Sequence, residues 1–380
     1  MKALHIYRTY FPDPPGGLQE AIRQISLATQ ACGVESRIFT LSPHPEPREL
    51  PAAEGRVIRS KSWAAPASCD LGGLDAFRQY RRLADWADVL HFHFPWPFGD
   101  VLRVLGGSDK PAVMTYHSDV VRQRYLGYVY GPLMRRMLSS MSAVVATSPA
   151  YAKSSTVLTT LVAPERVRVI PLGIGDYANS EMAQRYGPEQ LARLSLGDEP
   201  YFLSLGVLRY YKGLHTLIEA APSIAANLVI AGSGPEMENL KKLAADAGAS
   251  NVIFAGQVSD EEKIALLKGC RGMLLPSQLR SEAFGMVLVE ASMFAKPMVC
   301  CEIGSGTSFV NEHNVTGFVV PPESPREFAA AANQLLADPA LAAQMGLAAR
   351  ARYERLFSAP ALGREYRRLY DDVVGEAKCA

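Results

Sequence analysis

Gly272-Met-Leu-Leu-Pro276-Ser-Gln-Leu-Arg-Ser-Glu282-Ala-Phe284-Gly285-Met286-Val-Leu-Val-Glu290-Ala-Ser-Met-Phe-Ala-Lys-Pro297-Met-Val-Cys-Cys301 is the stretch whose reading decides the fold. A short apolar strand runs into a polar loop. A helix follows, and Pro297, which cannot continue it and disfavours helical geometry at Lys296, marks its end before a second strand. This is a βαβ unit, which brings a loop and a helix N-terminus to the carboxyl edge of a parallel sheet. Met286 to Ala295 is apolar nearly all round, as in a helix buried on both sides. Glu290 lies inside that run, where a carboxylate is costly unless it is hydrogen-bonded. Glu282 precedes it in the loop that opens the helix. Each glutamate alone reads as a solvated charge. As a pair spaced E-x7-E across the junction, with Phe284 and Gly285 at the turn, they read as a ligand site.

Ser281-Glu282-Ala-Phe284-Gly285-Met286-Val-Leu-Val-Glu290-Ala resembles the signature of retaining glycosyltransferases with the GT-B fold, in particular glycosyltransferase family 4. The resemblance covers essentially the whole chain. It implies two doubly wound, Rossmann-like α/β domains facing each other across a cleft. It also implies that Glu282 faces the donor sugar, that Glu290 holds the ribose hydroxyls, and that the amides at Phe284, Gly285 and Met286 meet sugar or phosphate. The chemistry suits these roles: a carboxylate accepts two hydroxyls well, and a helix N-terminus suits a diphosphate.

Length and composition bound the rest. The 380 residues fit two domains, and 48% hydrophobic residues suffice for two cores. A formal net charge of +1 argues against a nucleic-acid partner. No apolar run is long enough for a membrane span, and the N-terminus reads as a strand with no signal-peptide core. Six cysteines without C-x-x-C spacing read as reduced thiols, so the expected compartment is the cytoplasm.

The first half alternates strands (Ala3–Tyr7, Ser36–Thr40, Val89–Phe94, Ala112–Tyr116, Ala143–Thr147, Val167–Ile170) with helical patterns at Leu18–Cys32, Leu74–Trp86, Gly127–Ser140 and Pro149–Leu158. Ser42 to Pro51 reads as irregular. A polar, glycine-bearing break at Pro171–Pro200 separates the halves, giving domains at 1–175 and 176–359. The second half repeats the theme, with strands at Tyr201–Leu205, Asn227–Ala231 and Val252–Ala255 and helices at Leu214–Ala226 and Glu236–Ala247. Ser259-Asp-Glu-Glu262 has the form of a capping box. The resemblance implies that the last helix, about 360–380, crosses back to the first domain.

Several constellations join the glutamates. Gly16-Gly17, between the first strand and first helix, would let backbone approach negative charge, although a Gly-Gly turn is often just a turn. Arg209-Tyr-Tyr-Lys212-Gly213 places two cations just past a strand end, where they can clamp a diphosphate. The family pattern R-x-x-x-K-G is one residue shorter here. Gly234, in Ala231-Gly-Ser-Gly-Pro-Glu236, resembles a motif near the nucleotide, and a tight turn explains it nearly as well. His117 ends a strand at the edge where ligands bind, and the resemblance gives it a donor-sugar contact. Catalysis is thus expected to rest on His117, Glu282, Arg209 and Lys212, with Gly16, Gly17, Gly234, Phe284, Gly285, Met286 and Glu290 on the donor.

His91 and His93 on one strand, with His117, could suggest a metal, but no carboxylate or cysteine partner and no Asp-x-Asp is evident. The expectation is no metal and no cofactor. Glu302-Ile-Gly-Ser-Gly-Thr-Ser308 and Tyr7-Arg-Thr-Tyr-Phe-Pro-Asp13 resemble bacterial transferases that move mannose or rhamnose from GDP-sugars onto O-antigen or exopolysaccharide. That resemblance implies a GDP-sugar donor and a polyprenyl-diphosphate-linked saccharide acceptor. A basic, aromatic segment (Arg122, Arg124, Tyr125, Tyr128, Tyr130, Arg135, Arg136) suggests weak peripheral association with the cytoplasmic face of the inner membrane. A nucleotide-sugar epimerase and a non-catalytic sugar-nucleotide sensor remain as rival readings.

Overall fold

The computed structural model describes residues 1–13, 16–66, 69–119, 126–194, 196 and 199–379. The chain divides into two compact units, Met1–Gly175 with Ala359–Ala380, and Asp176–Ser358.

The first unit is built on a twisted sheet of strands β1 (Lys2–Ile6), β2 (Glu35–Ser42), β3 (Glu49–Ala52), β4 (Gly55–Ala64), β5 (Leu71–Gly72), β6 (Val89–Phe94), β7 (Ala112–Tyr116), β8 (Ala143–Ala146) and β9 (Val167–Val169). Their order is β3-β4-β2-β1-β6-β7-β8-β9, with β5 beside β4. All pairs are parallel except β3 and β5 on β4. The central strands β6, β7 and β8 are buried along their whole length, the condition of parallel strands covered on both faces. The final helix, Ala359–Cys379, belongs to this unit. Leu362, Tyr366, Leu369, Tyr370 and Val373 form its buried stripe, packed among Ile25, Ala28 and the sheet. Gly363 makes that contact possible, because a Cβ there would lie 2.3 Å from the Ala28 carbonyl oxygen.

The second unit has six parallel strands, β10 (Tyr201–Leu205), β11 (Asn227–Ala231), β12 (Val252–Gly256), β13 (Met273–Leu275), β14 (Met298–Cys301) and β15 (Gly317–Val320). Their order, β12-β11-β10-β13-β14-β15, reverses between β10 and β13. In doubly wound sheets that switch point is where ligands bind, because the loops leaving the two strands diverge to opposite faces. The capping box at Ser259 and Glu262 forms and starts the helix Asp260–Gly269.

Three local expectations are corrected. Ser42–Pro51 is not wholly irregular: Glu49–Ala52 pairs antiparallel with β4, and Pro51 is tolerated because β3 is an edge strand. β4 itself, ten residues long, carries no clean two-residue alternation and is held by its pairing with β2. The single helix expected at Pro149–Leu158 is two, because the Ser155 hydroxyl accepts from the Leu158 amide and caps a second one. The helix from Leu214 ends at Ala220, and Pro222 follows inside a 3-10 turn.

Candidate functional site

The switch point of the second unit is assembled from two loops that touch. The loop after β10 contains a 3-10 turn, Tyr210–Lys212, and then Gly213 in the left-handed region at φ 64°. A Cβ on Gly213 would sit 2.1 Å from the Pro276 carbonyl oxygen, so only glycine lets this loop meet the one after β13. The Gln278 amide donates to the Tyr211 carbonyl at 3.1 Å, and its side-chain Nε2 to the Tyr210 carbonyl at 3.4 Å. Across this junction Lys212 Nζ lies 2.5 Å from Glu282 Oε2, with both side chains almost buried. The ammonium is thus the charge partner of that oxygen. In the loop after β13, Ser277 Oγ and Gln278 Oε1 are buried without a partner.

The helix Met286–Met293 opens at Gly285, left-handed at φ 86°, with no side chain capping it. Its amides therefore face the loop unclaimed by any cap. The Phe284 ring is buried and packs edge-on against Phe357, so only its backbone is available to a ligand. On the same helix Glu290 Oε1 accepts from the Tyr177 hydroxyl at 2.8 Å and from Lys263 Nζ at 3.1 Å. Lys263 also lies 3.6 Å from Asp260 and over the Tyr177 ring. Burial would depress the Lys263 pKa, but the Glu290 and Asp260 carboxylates outweigh it and the net shift is upward, so the ammonium stays charged. Tyr177, desolvated and beside Glu290, is held in its neutral form.

The Arg209 carbonyl accepts from the Lys212 amide at 3.0 Å, but its side chain is exposed and makes no hydrogen bond or ion pair among the described residues. Gly234 packs backbone on backbone, since a Cβ would lie 2.4 Å from the Leu208 carbonyl oxygen. It thus joins the loop after β11 to the loop after β10, and the turn alone accounts for the glycine. In the first unit Gly16 caps the helix Gly17–Gln30, and a side chain on Gly17 would enter open space. The structure brings Lys212 to Glu282, ties Glu290 to Lys263, and leaves the Arg209 side chain in solvent. Sequence reading does not single out Tyr177, Lys263, Ser277 or Gln278. Lys263 and Tyr177 carry no local signal, because they meet Glu290 from 27 and 113 residues away. Ser277 and Gln278 lie inside the stretch that decides the fold and could have been found there. In the basic segment, Arg122, Arg124, Tyr125 and the Tyr128 side chain lie outside the described residues. Arg135 and Arg136 are exposed while Met137 and Leu138 are buried. No helix among the described residues is long and apolar enough to cross a membrane.

His117 sits at the end of β7 on a column of imidazoles. Parallel register puts His5, His91, His93, Thr115 and His117 on one face of β1, β6 and β7. His5 Nδ1 pairs with His93 Nε2 at 3.1 Å, and His93 Nδ1 with His117 Nε2 at 3.1 Å. His91 is held separately, by the Tyr370 hydroxyl and Thr115 Oγ1, each at 2.7 Å. Burial drives all four to the neutral form, with His5 and His117 lowered to about 3. His5, His91 and His93 bring ring nitrogens within 4.8 Å of one another, a spacing that could gather around a cation. Their rings stack rather than converge, however, and every nitrogen of the three except His5 Nε2 is already paired. Metal binding there would have to dismantle these hydrogen bonds with no anionic ligand to offset the charge.

Two family models match the chain, glycosyltransferase family 4 over residues 15–176 and glycosyl transferases group 1 over residues 189–352. The D-rhamnosyltransferase WbpZ of Pseudomonas aeruginosa is 43% identical over 94% of this chain and 93% of its own length. The O-antigen chain mannosyltransferase C of Escherichia coli is 38% identical over 98% of this chain and 99% of its own. Among solved structures, HepE of Anabaena in complex with UDP superposes with a TM-score of 0.80 at 18% identity, covering 98% of this chain and all of that one.

Proposed function

The chain belongs to glycosyltransferase family 4, and from that premise we propose that it is a retaining hexosyltransferase moving mannose or rhamnose from a GDP-sugar to a polyprenyl-diphosphate-linked saccharide in O-antigen or related surface-polysaccharide synthesis. The sugars named for its two relatives support the choice of sugar. The observation that carries the reading is the Lys212–Glu282 pair at the switch point of a doubly wound sheet. Such a pair suits a phosphorylated sugar: a hydroxyl donates to Glu282, and the diphosphate takes Lys212 from it.

In the reaction the bond between the sugar's anomeric carbon and the diphosphate oxygen breaks. The acceptor hydroxyl forms the new bond on the same face, and its proton passes to the departing phosphate. Charge grows on the leaving group, so Lys212, with Arg209 swinging in from solvent, would supply the main stabilisation. Glu290 would hold the ribose through its second oxygen, since Tyr177 and Lys263 already occupy the first. His117 of the first unit would meet the donor sugar. The two cations do the work for which other transferases use a divalent ion, and transfer is expected to survive chelation. The exposed Arg135 and Arg136 beside buried Met137 and Leu138 support weak peripheral contact with an anionic bilayer.

A thermal-stability screen of GDP-, UDP- and ADP-sugars tests the donor. A saturating GDP-sugar should raise the melting temperature and the other two should not, because a ligand at about 100 times its Kd stabilises by about 2.7 kcal/mol. Transfer measured with and without EDTA completes the test. Stabilisation by none of the three, or transfer that is lost on chelation, would sink the proposal.

A further inference from the structure

The three paired imidazoles of the first unit are coupled in a way that the transfer reaction alone does not require. We infer that His5 and His93 are positioning residues that hold His117 as its Nδ1–H tautomer, making it a fixed hydrogen-bond donor and not a base. The inference rests on the proposed contact between His117 and the donor sugar.

A neutral imidazole carries one ring proton, so a chain of such rings can point in only two directions. In one, His5 donates from Nδ1 to His93 Nε2, and His93 then donates from Nδ1 to His117 Nε2. His117 must keep its own proton on Nδ1, and His5 is left with a bare Nε2. In the other, every bond reverses: His117 Nδ1 becomes bare and His5 must carry its proton on Nε2. That nitrogen is sealed in the core, with His5 fully buried, and has no partner. Buried N–H groups without an acceptor are rare, whereas acceptors are left unfilled more readily. The first direction is therefore the one the fold selects.

The sealed end also fixes that direction during turnover. Reversal would require a proton to leave His117 Nδ1 and another to arrive at His5 Nε2, which water does not reach. The one basic nitrogen of His117, Nε2, is already filled by His93. Protonating any ring would place a cation in a buried column with no counter-charge in it, which desolvation opposes. His117 is thus kept in one state, and the acceptor's proton must go elsewhere. The departing phosphate is its natural destination. His91, satisfied by Tyr370 and Thr115, takes no part in the chain but walls it off from the final helix.

The test is long-range proton–nitrogen NMR on the full chain labelled with 15N-histidine, at pH 7 and without ligand. His5, His93 and His117 should each show a protonated Nδ1 and a bare Nε2. His5→Phe keeps the bulk of the ring and removes the donor that sets the direction. It should leave His93 and His117 as mixtures of tautomers and raise the donor KM about two- to tenfold, the worth of one neutral hydrogen bond, with kcat changed less. His5→Asn, whose amide nitrogen can stand in for Nδ1, should restore both. A protonated Nε2 on His117 in the parent protein, or an unchanged His117 tautomer in His5→Phe, would overturn the inference. His117→Phe tests the underlying reading separately: undiminished transfer would remove the sugar contact, whereas the tautomers of the column are read in the parent protein and stand or fall on their own.

Discussion

Lys212 and Glu282 hold each other, and that mutual hold gives their substitutions opposite signatures. The pair is nearly buried, so each charge depends on the other for compensation. Lys212→Met removes the cation that a diphosphate needs and leaves Glu282 to repel it. Nucleoside diphosphate should bind about 10- to 100-fold more weakly, the range expected for one hydrogen bond to a charged group, and transfer should fall at least as far. Glu282→Gln keeps the shape, frees Lys212 and removes a negative charge. Diphosphate binding should then hold or tighten while transfer collapses, because the carboxylate proposed to accept from the sugar has gone. Calorimetric titration with GDP and a transfer assay on both variants check this, and parallel losses of binding in the two would refute the opposed roles. Glu282 and Lys212 could be picked out in the sequence because each lies just past a strand end. That the two touch could not, because the contact depends on β10 and β13 being neighbours in the sheet.

The loops that carry those residues meet at Gly213, and this contact belongs to the elements rather than to any side chain. An alanine there must adopt φ 64°, at a cost of about 1–2 kcal/mol. Its Cβ would also collide with the Pro276 carbonyl, so the loops must part. Gly213→Ala should therefore lower the stability of the second unit modestly and reduce transfer far more than the stability loss explains. Urea unfolding alongside donor KM and kcat would show it; a drop in activity no larger than the drop in folded fraction would assign Gly213 to stability alone. At this scale the sequence was readable where composition changes abruptly. The apolar helix Met286–Met293, stopped before Pro297, and the capping box at Ser259 both stand out. It was unreadable where pairing with a distant partner decides structure. β4 and β3 form because β2 offers an edge, and Lys263 reaches Glu290 because two helices pass in the fold. A pattern within ten residues cannot report either.

Across the molecule, buried titratable groups are unevenly shared, and the first unit should fail first in acid. His5, His91, His93 and His117 are all neutral and buried there, with His5 and His117 lowered from 6.5 to about 3. An unfolded chain takes up protons at these residues before the folded one does. Their contribution is thus present above pH 6.5 and lost as pH falls towards 3, at about 1.4 kcal/mol per pH unit for each. One group opposes them. Asp100, buried against the Tyr130 hydroxyl, is raised from 3.8 to about 7 by desolvation, so the folded state holds its proton more tightly. That term is fully present below pH 3.8 and disappears as pH rises to 7. Between pH 4 and 6.5 the balance is four protons against one, and stability should climb steeply with pH before levelling near neutrality. Chemical unfolding monitored from pH 4.5 to 8 should show this climb in one transition, that of the first unit. Asp100→Asn should steepen it by about one proton, and His5→Phe should flatten it by about one. Identical slopes in the three proteins would mean that these groups are not the ones that titrate on unfolding, and the neutrality on which the imidazole column depends would fall with them.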